Sequence, residues 1–241
     1  MLSNVLCQFS SFADYANLNL GTEKLLSAFG NRLMPTTFRD SQNSIVVSLA
    51  DPATPFFVQI FPFRIDVIRV SERKEGFAPE ELGKIQKLFL DSMCKIEETF
   101  VDEIQTANRL AWYTEYTYFD FGDENEKVKF KNKFLRENDF YETLIPSSDF
   151  VVRYAGRKET SICDSREVFN IITTIENWKE DQGFVAKIAS SAGYKIGVDI
   201  NTIWENKKNR FSVQHYDEFM KIAVDLQNSV KESFLHEYQK L

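Results

Sequence analysis

Two short constellations combine acids and a lysine at the same spacing: Asp66 followed by Glu72-Arg73-Lys74, and Asp199 followed by Glu205-Asn206-Lys207. In magnesium-dependent nucleases two carboxylates bind the metal and a lysine stabilises developing charge or orients the attacking water. That chemistry places the Glu and Lys on a strand beside the Asp, whereas here both follow a predicted strand in a charged run. The competing reading is a solvated exit from sheet to helix, the ordinary role of such runs. Asp66, Glu72, Lys74, Asp199, Glu205 and Lys207 are therefore the catalytic candidates of a nuclease alternative. Magnesium enters only with that alternative, and no other metal or cofactor is implied.

A second group of residues offers binding. Trp112, Tyr116 and Tyr118 share one face of a predicted strand over 109–121, where each ring has an apolar face and a polar handle that suit base stacking or a ligand groove. Core packing under a helix competes with that reading. Arg153, Arg157 and Lys158, with Lys179 and Lys187 on neighbouring segments, are candidates for a local basic patch on the polar face of the second sheet, against plain surface solvation.

Other chemistries are excluded by what the chain lacks. Its two histidines, His215 and His236, fall on one predicted helix about 30 Å apart at about 1.5 Å per residue, so they cannot share a metal. The three cysteines, Cys7, Cys94 and Cys163, show no CxxC spacing and suit a reducing compartment. Cys94 falls in a helical pattern, where a thiol acts as a small hydrophobe. Phosphate-loop, dinucleotide and nucleophile-elbow motifs are missing.

The elements that must position these candidates come from hydrophobic periodicity. Residues 5–12 predict a strand, and Thr22 opens a helix through Leu25, Leu26, Phe29 and Leu33 that Pro35 ends. Residues 44–49, 56–61 and 64–70 predict a meander broken by Asp51-Pro52 and Pro62. Pro79 with Glu80 and Glu81 opens a long helix whose apolar positions Leu82, Ile85, Phe89, Met93, Ile96, Phe100 and Ile104 step by three or four. After the strand from Arg109 comes a charged helix or loop over 123–138. Residues 149–158, 168–175, 184–190 and 194–203 are β-leaning, although 168–175 also fits a helix. Ser212 caps a last helix with Tyr216, Phe219, Ala223, Leu226, Val230 and Phe234 on its apolar side.

The two long helices match each other. A constant offset superposes Phe77 on Phe211, Lys87 on Lys221, Asp91 on Asp225, Glu98 on Glu232, Phe100 on Phe234 and Glu103 on Glu237. An offset one residue shorter places Asp66 on Asp199, Glu72 on Glu205 and Lys74 on Lys207. We expect an internal duplication: residues 1–122 as one sheet-plus-helix half, 123–147 as a charged connection and 148–241 as the other half. If the halves are related by a pseudo-twofold, Asp66 and Asp199 would face each other across a central cleft.

The element order, with Val67 to Val70 before the first long helix, Asn108-Arg109-Leu110 opening the next strand and Val198-Asp199-Ile200 before the last helix, resembles a sporadically distributed bacterial family of hypothetical proteins. Where that family carries Arg-Tyr followed by Asn, this chain reads Leu110-Ala111-Trp112-Tyr113-Thr114-Glu115. The resemblance implies a fold and no activity, together with a setting in a defence or toxin-linked operon.

With 241 residues, 43% of them hydrophobic, the chain has ample material for a core. Its formal charge of −7 opposes nucleic acid and anionic membranes unless a local patch outweighs the total. No signal segment or apolar run of spanning length is seen, so a cytoplasmic location is expected. The fold expected is α+β, two related antiparallel-sheet-plus-long-helix halves packed as one unit. The function expected is a non-catalytic binding or regulatory module acting on a protein partner, with a homodimer also open. The alternatives are the nuclease above and a small-ligand sensor with a cleft between the halves.

Overall fold

A computed structural model of the chain describes residues 2–73, 75–102, 104, 106–118, 129, 151–177 and 193–238. Among these residues nine strands form a single antiparallel sheet: β1 (Leu2–Phe12), β2 (Met34–Arg39), β3 (Ile45–Ala50), β4 (Phe56–Phe61), β5 (Arg64–Val70), β6 (Arg109–Tyr118), β7 (Val151–Ile162), β8 (Ser165–Asn177) and β9 (Tyr194–Thr202). They lie in the order β2-β3-β4-β5-β1-β6-β9-β8-β7. A 3-10 turn (Ala16–Gly21) leads into α1 (Thr22–Ala28), and the long helices are α2 (Pro79–Thr99) and α3 (Val213–Tyr238). The architecture is α+β.

The strands alternate as a half-covered sheet requires. Phe9, Val58, Val67, Trp112 and Ile200 point to one face, where they join Leu25 of α1 and Phe29 just after it, Ile85, Phe89, Met93 and Ile96 of α2, and Tyr216, Phe219 and Ala223 of α3 in one core. The α2 residues are those the three-and-four spacing selects. Glu81 secures the start of that helix by accepting the Ala78 N–H at 2.7 Å, and it pairs with Arg73. At α3, His215 Nδ1 accepts the Ser212 N–H at 3.1 Å, so the histidine serves the helix cap.

Three expectations need correction, and the choice between strand and helix over 168–175 is decided. First, the strands do not form two sheets: β1 and β6 pair with each other, Phe9 opposite Trp112, and join all nine strands edge to edge. Each of these central strands would otherwise present an unpaired edge, a liability that the pairing removes. Second, Pro35 does not end a helix that runs to Leu33. It lies inside β2, an edge strand, the place in a sheet where a residue without an N–H is tolerated. Third, α2 stops at Thr99, so Ile104 packs against the core from beyond the helix. Residues 168–175 belong to strand β8, held on both sides by β7 and β9. The expected elements over 123–138, apart from Lys129, and 184–190 lie outside the described residues.

Candidate functional site

The face of the sheet opposite the helices carries a row of mutually facing positions that crosses every strand: Thr36, Ser48, Gln59, Asp66, Ser10, Ala111, Asn201, Asn170 and Arg157. Eight of the nine are polar, and farther along the same face Leu6, Phe57, Ile68 and Val70 pack together.

On one side of the row, Ser10 Oγ donates to Asp66 Oδ1 at 2.7 Å while Arg64 Nε lies 2.9 Å from Asp66 Oδ2. Asp66 is only 2% exposed. Burial raises its carboxyl above the usual range, against the opposing pull of Arg64 and Ser10. On the other side Asn201 Nδ2 donates to Asp199 Oδ1 at 2.9 Å, Asn170 Nδ2 to Asn201 Oδ1 at 3.1 Å, and Arg157 Nε to Asn170 Oδ1 at 3.1 Å. Burial raises Asp199 too, against the Asn201 bond and the charges of Arg109 and Arg153. Farther along, Lys195 pairs with Glu176 at 2.6 Å and Glu115 at 3.6 Å, and these acids overcome the cost of its burial.

The catalytic candidates do not converge. Glu72 follows β5 and is exposed, roughly 20 Å of extended chain beyond Asp66. Glu205 is tied to Arg157, and its own N–H and that guanidinium hold it below its ordinary range. Because β5 and β9 run antiparallel to each other through β1 and β6, their exits lie at opposite ends of the sheet. Asp66 and Asp199 share one face three strand spacings apart, about 14 Å, and do not oppose each other across a cleft. Lys74 lies outside the described residues; Lys207 places its ammonium 4.7 Å from the Trp204 ring. Among the described residues, no group of three or more His, Cys, Asp or Glu is placed to hold a metal ion.

The aromatic candidates are core. Trp112, Tyr116 and Tyr118 are 2%, 2% and 4% exposed, on the helix-covered face. The indole N–H of Trp112 donates to Gln227, whose amide donates to the Tyr116 hydroxyl. Arg153, Arg157 and Lys158 are exposed on β7, while Lys179 and Lys187 lie outside the described residues.

Sequence reasoning missed a cavity of about 340 Å³ at one end of the sheet, lined by Phe12, Phe63, Asn108, Arg109, Trp204 and Lys207 among others. The β4–β5 turn presents Phe63 and the segment after β9 presents Trp204, 68% and 55% exposed. The available signal was a lone large aromatic in each of two polar or turn-forming stretches, Pro62-Phe63-Arg64 and Trp204-Glu205-Asn206-Lys207.

Among the described residues no helix is long and apolar enough to cross a membrane. No protein-family model matches the chain, and no curated protein matches it as a relative.

Proposed function

We propose that this protein is a non-catalytic binding module that docks an extended, acidic segment of a protein partner along β7. The observation that carries this reading is the character of that edge. β7 spans 12 residues, pairs with β8 on one side, and ends the sheet among the described residues. Its residues are exposed on both faces over most of its length, including Val151 at 66%. It carries Arg153, Arg157 and Lys158 against one acid, Glu159, in a chain of net charge −7. An extended segment added to such an edge gains main-chain hydrogen bonds, and alternate side chains read its sequence. The opposite edge, β2, is blunted by Pro35 and is half as long.

The separation of Asp66 from Glu72 and of Asp199 from Glu205 favours this non-catalytic reading over the nuclease alternative. The chain is further read as a duplication. The strand pairing supports copies that begin at β1 and at β6, with the boundary before Arg109 and not at residue 122: in each, a meander returns its last strand antiparallel to the first, β5 to β1 and β9 to β6, and a long helix follows. Asp66 faces Ser10 as Asp199 faces Tyr113, and the β1–β6 register makes Phe9 and Trp112 each other's equivalents. The three free cysteines, with the Cys7 thiol pushed up to about 12 by burial, support a reducing compartment.

The test is charge reversal. Arg153→Glu with Lys158→Glu leaves the circular dichroism spectrum unchanged and abolishes the complex with the protein partner recovered from the native host. Retention of the partner by this variant overturns the assignment to β7. A metal-dependent cleavage activity lost in a Glu72→Gln, Glu205→Gln double variant overturns the non-catalytic reading.

A further inference from the structure

The end cavity offers chemistry independent of β7. It is built from four separate segments: the end of β1, the β4–β5 turn, the start of β6, and the connection from β9 to α3. Two of its rings, Phe63 and Trp204, stay largely exposed. Single exposed apolar residues are common, but two large rings opening onto one cavity form a stacking surface.

Cations surround that surface. The Arg109 guanidinium lies 3.7 Å from the centre of the Phe12 ring, and Arg64 approaches the same ring at 5.9 Å. Lys207 lies 4.7 Å from the Trp204 ring. Arg109 lines the cavity, and its Nε is buried behind that wall without a hydrogen bond. Asp14, the one carboxylate of the lining among the described residues, already accepts the Ala16 N–H at 3.1 Å. Arg64 is paired with Asp66, and Arg109 and Lys207 feel the charges of Asp199 and Glu205, so the described lining itself carries two cations, Arg109 and Lys207, against Asp14.

We propose that this cavity binds a nucleoside phosphate, the base stacking on Trp204 and Phe63 and the phosphate held by Arg109 and Lys207. Stacking alone would suit any planar ring, but the two cations at the lining favour an anion beside it, and the amide of Asn108 adds a polar edge for a heterocycle. A volume of about 340 Å³ falls within the range of small-molecule sites and accommodates a single nucleotide unit. That unit is supplied either as a free mononucleotide or as part of a single strand.

The test is calorimetric titration of the full chain with the four ribonucleoside 5′-monophosphates, the parent nucleosides, and single strands of about ten nucleotides. At least one monophosphate is expected to bind with a Kd below about 1 mM, and its nucleoside more weakly. Trp204→Ala weakens binding about tenfold, as base stacking on an aromatic ring requires, and Lys207→Ala weakens the phosphate form more than the nucleoside. Both side chains are exposed, so these variants fold. Monophosphate binding with no gain for the strand identifies a free nucleotide. A tighter strand whose log affinity falls with log salt by about 0.7 per phosphate contact identifies single-stranded nucleic acid. Absence of binding by both forms, or wild-type affinity in both variants, overturns the proposal. Neither result depends on whether a protein docks along β7.

Discussion

Replacing Gln227 with leucine removes one side chain and strands two others. Gln227 is 3% exposed, and its amide accepts from the Trp112 indole and donates to the Tyr116 hydroxyl beneath the helices. Each buried group left without a partner costs about 1–3 kcal/mol, so the two together cost roughly 2–6 kcal/mol. Leucine returns about 1–2 kcal/mol through its more apolar surface. The expected net loss is about 3 kcal/mol, which lowers Tm by roughly 6–12 °C for a chain of this size. The diagnostic comparison is the Tyr116→Phe, Gln227→Leu double variant. Phenylalanine removes one stranded hydroxyl, so the double variant is more stable than Gln227→Leu alone by about 1 kcal/mol. Urea unfolding followed by tryptophan fluorescence, with unchanged m-values, measures both differences. If Tyr116→Phe instead adds its own loss to that of Gln227→Leu, the two side chains are energetically independent and the network described here is wrong.

Gly76 has φ +75°, and a Cβ there would lie 2.2 Å from the Asn4 carbonyl oxygen, so Gly76→Ala costs more than about 2 kcal/mol; a loss below half of that in urea unfolding contradicts the close approach. Cys163 and Asp164 join β7 to β8 with φ of 47° and 65°, a turn that favours Asn-Gly, so Cys163→Asn with Asp164→Gly raises stability by about 0.5–1 kcal/mol. Destabilisation by that pair would contradict the turn assignment. Asp66 has a carboxyl raised above its unfolded value near about 3.9, so the native state holds its proton more tightly. Its contribution therefore falls as pH rises through the raised value and grows on acidification. The stability of the wild type relative to Asp66→Asn should increase from pH 7 toward pH 4; the opposite slope in denaturant titrations overturns the burial argument.

Much of the sheet was legible because its strands are half-buried and alternate. β3, β4, β5 and β9 emerge within a residue or two of their sequence-derived bounds, and α2 announces itself through Pro79, two acids and an unbroken apolar stripe. β2 was hidden for the converse reason. All six of its residues are exposed, so neither face imprints a period, and its proline reads as a helix stop. The β1–β6 pairing was hidden because register between distant strands leaves no local trace in sequence. The aromatic stripe of β6 was found with a binding reading and a core reading both open, because periodicity identifies which residues share a face, not which layer covers it. Phe63 and Trp204 escaped because isolated aromatics have no period at all, and only convergence of four segments gives them a common cavity.

The central claim is that β7 is a docking edge for a protein partner. Amide hydrogen exchange of residues 151–162, measured with and without the partner recovered from the native host, tests it most directly. Strand addition predicts that binding slows exchange of the outward-facing β7 amides while those paired to β8 change little. Unaltered exchange along β7, with protection appearing elsewhere on the molecule, would contradict the account.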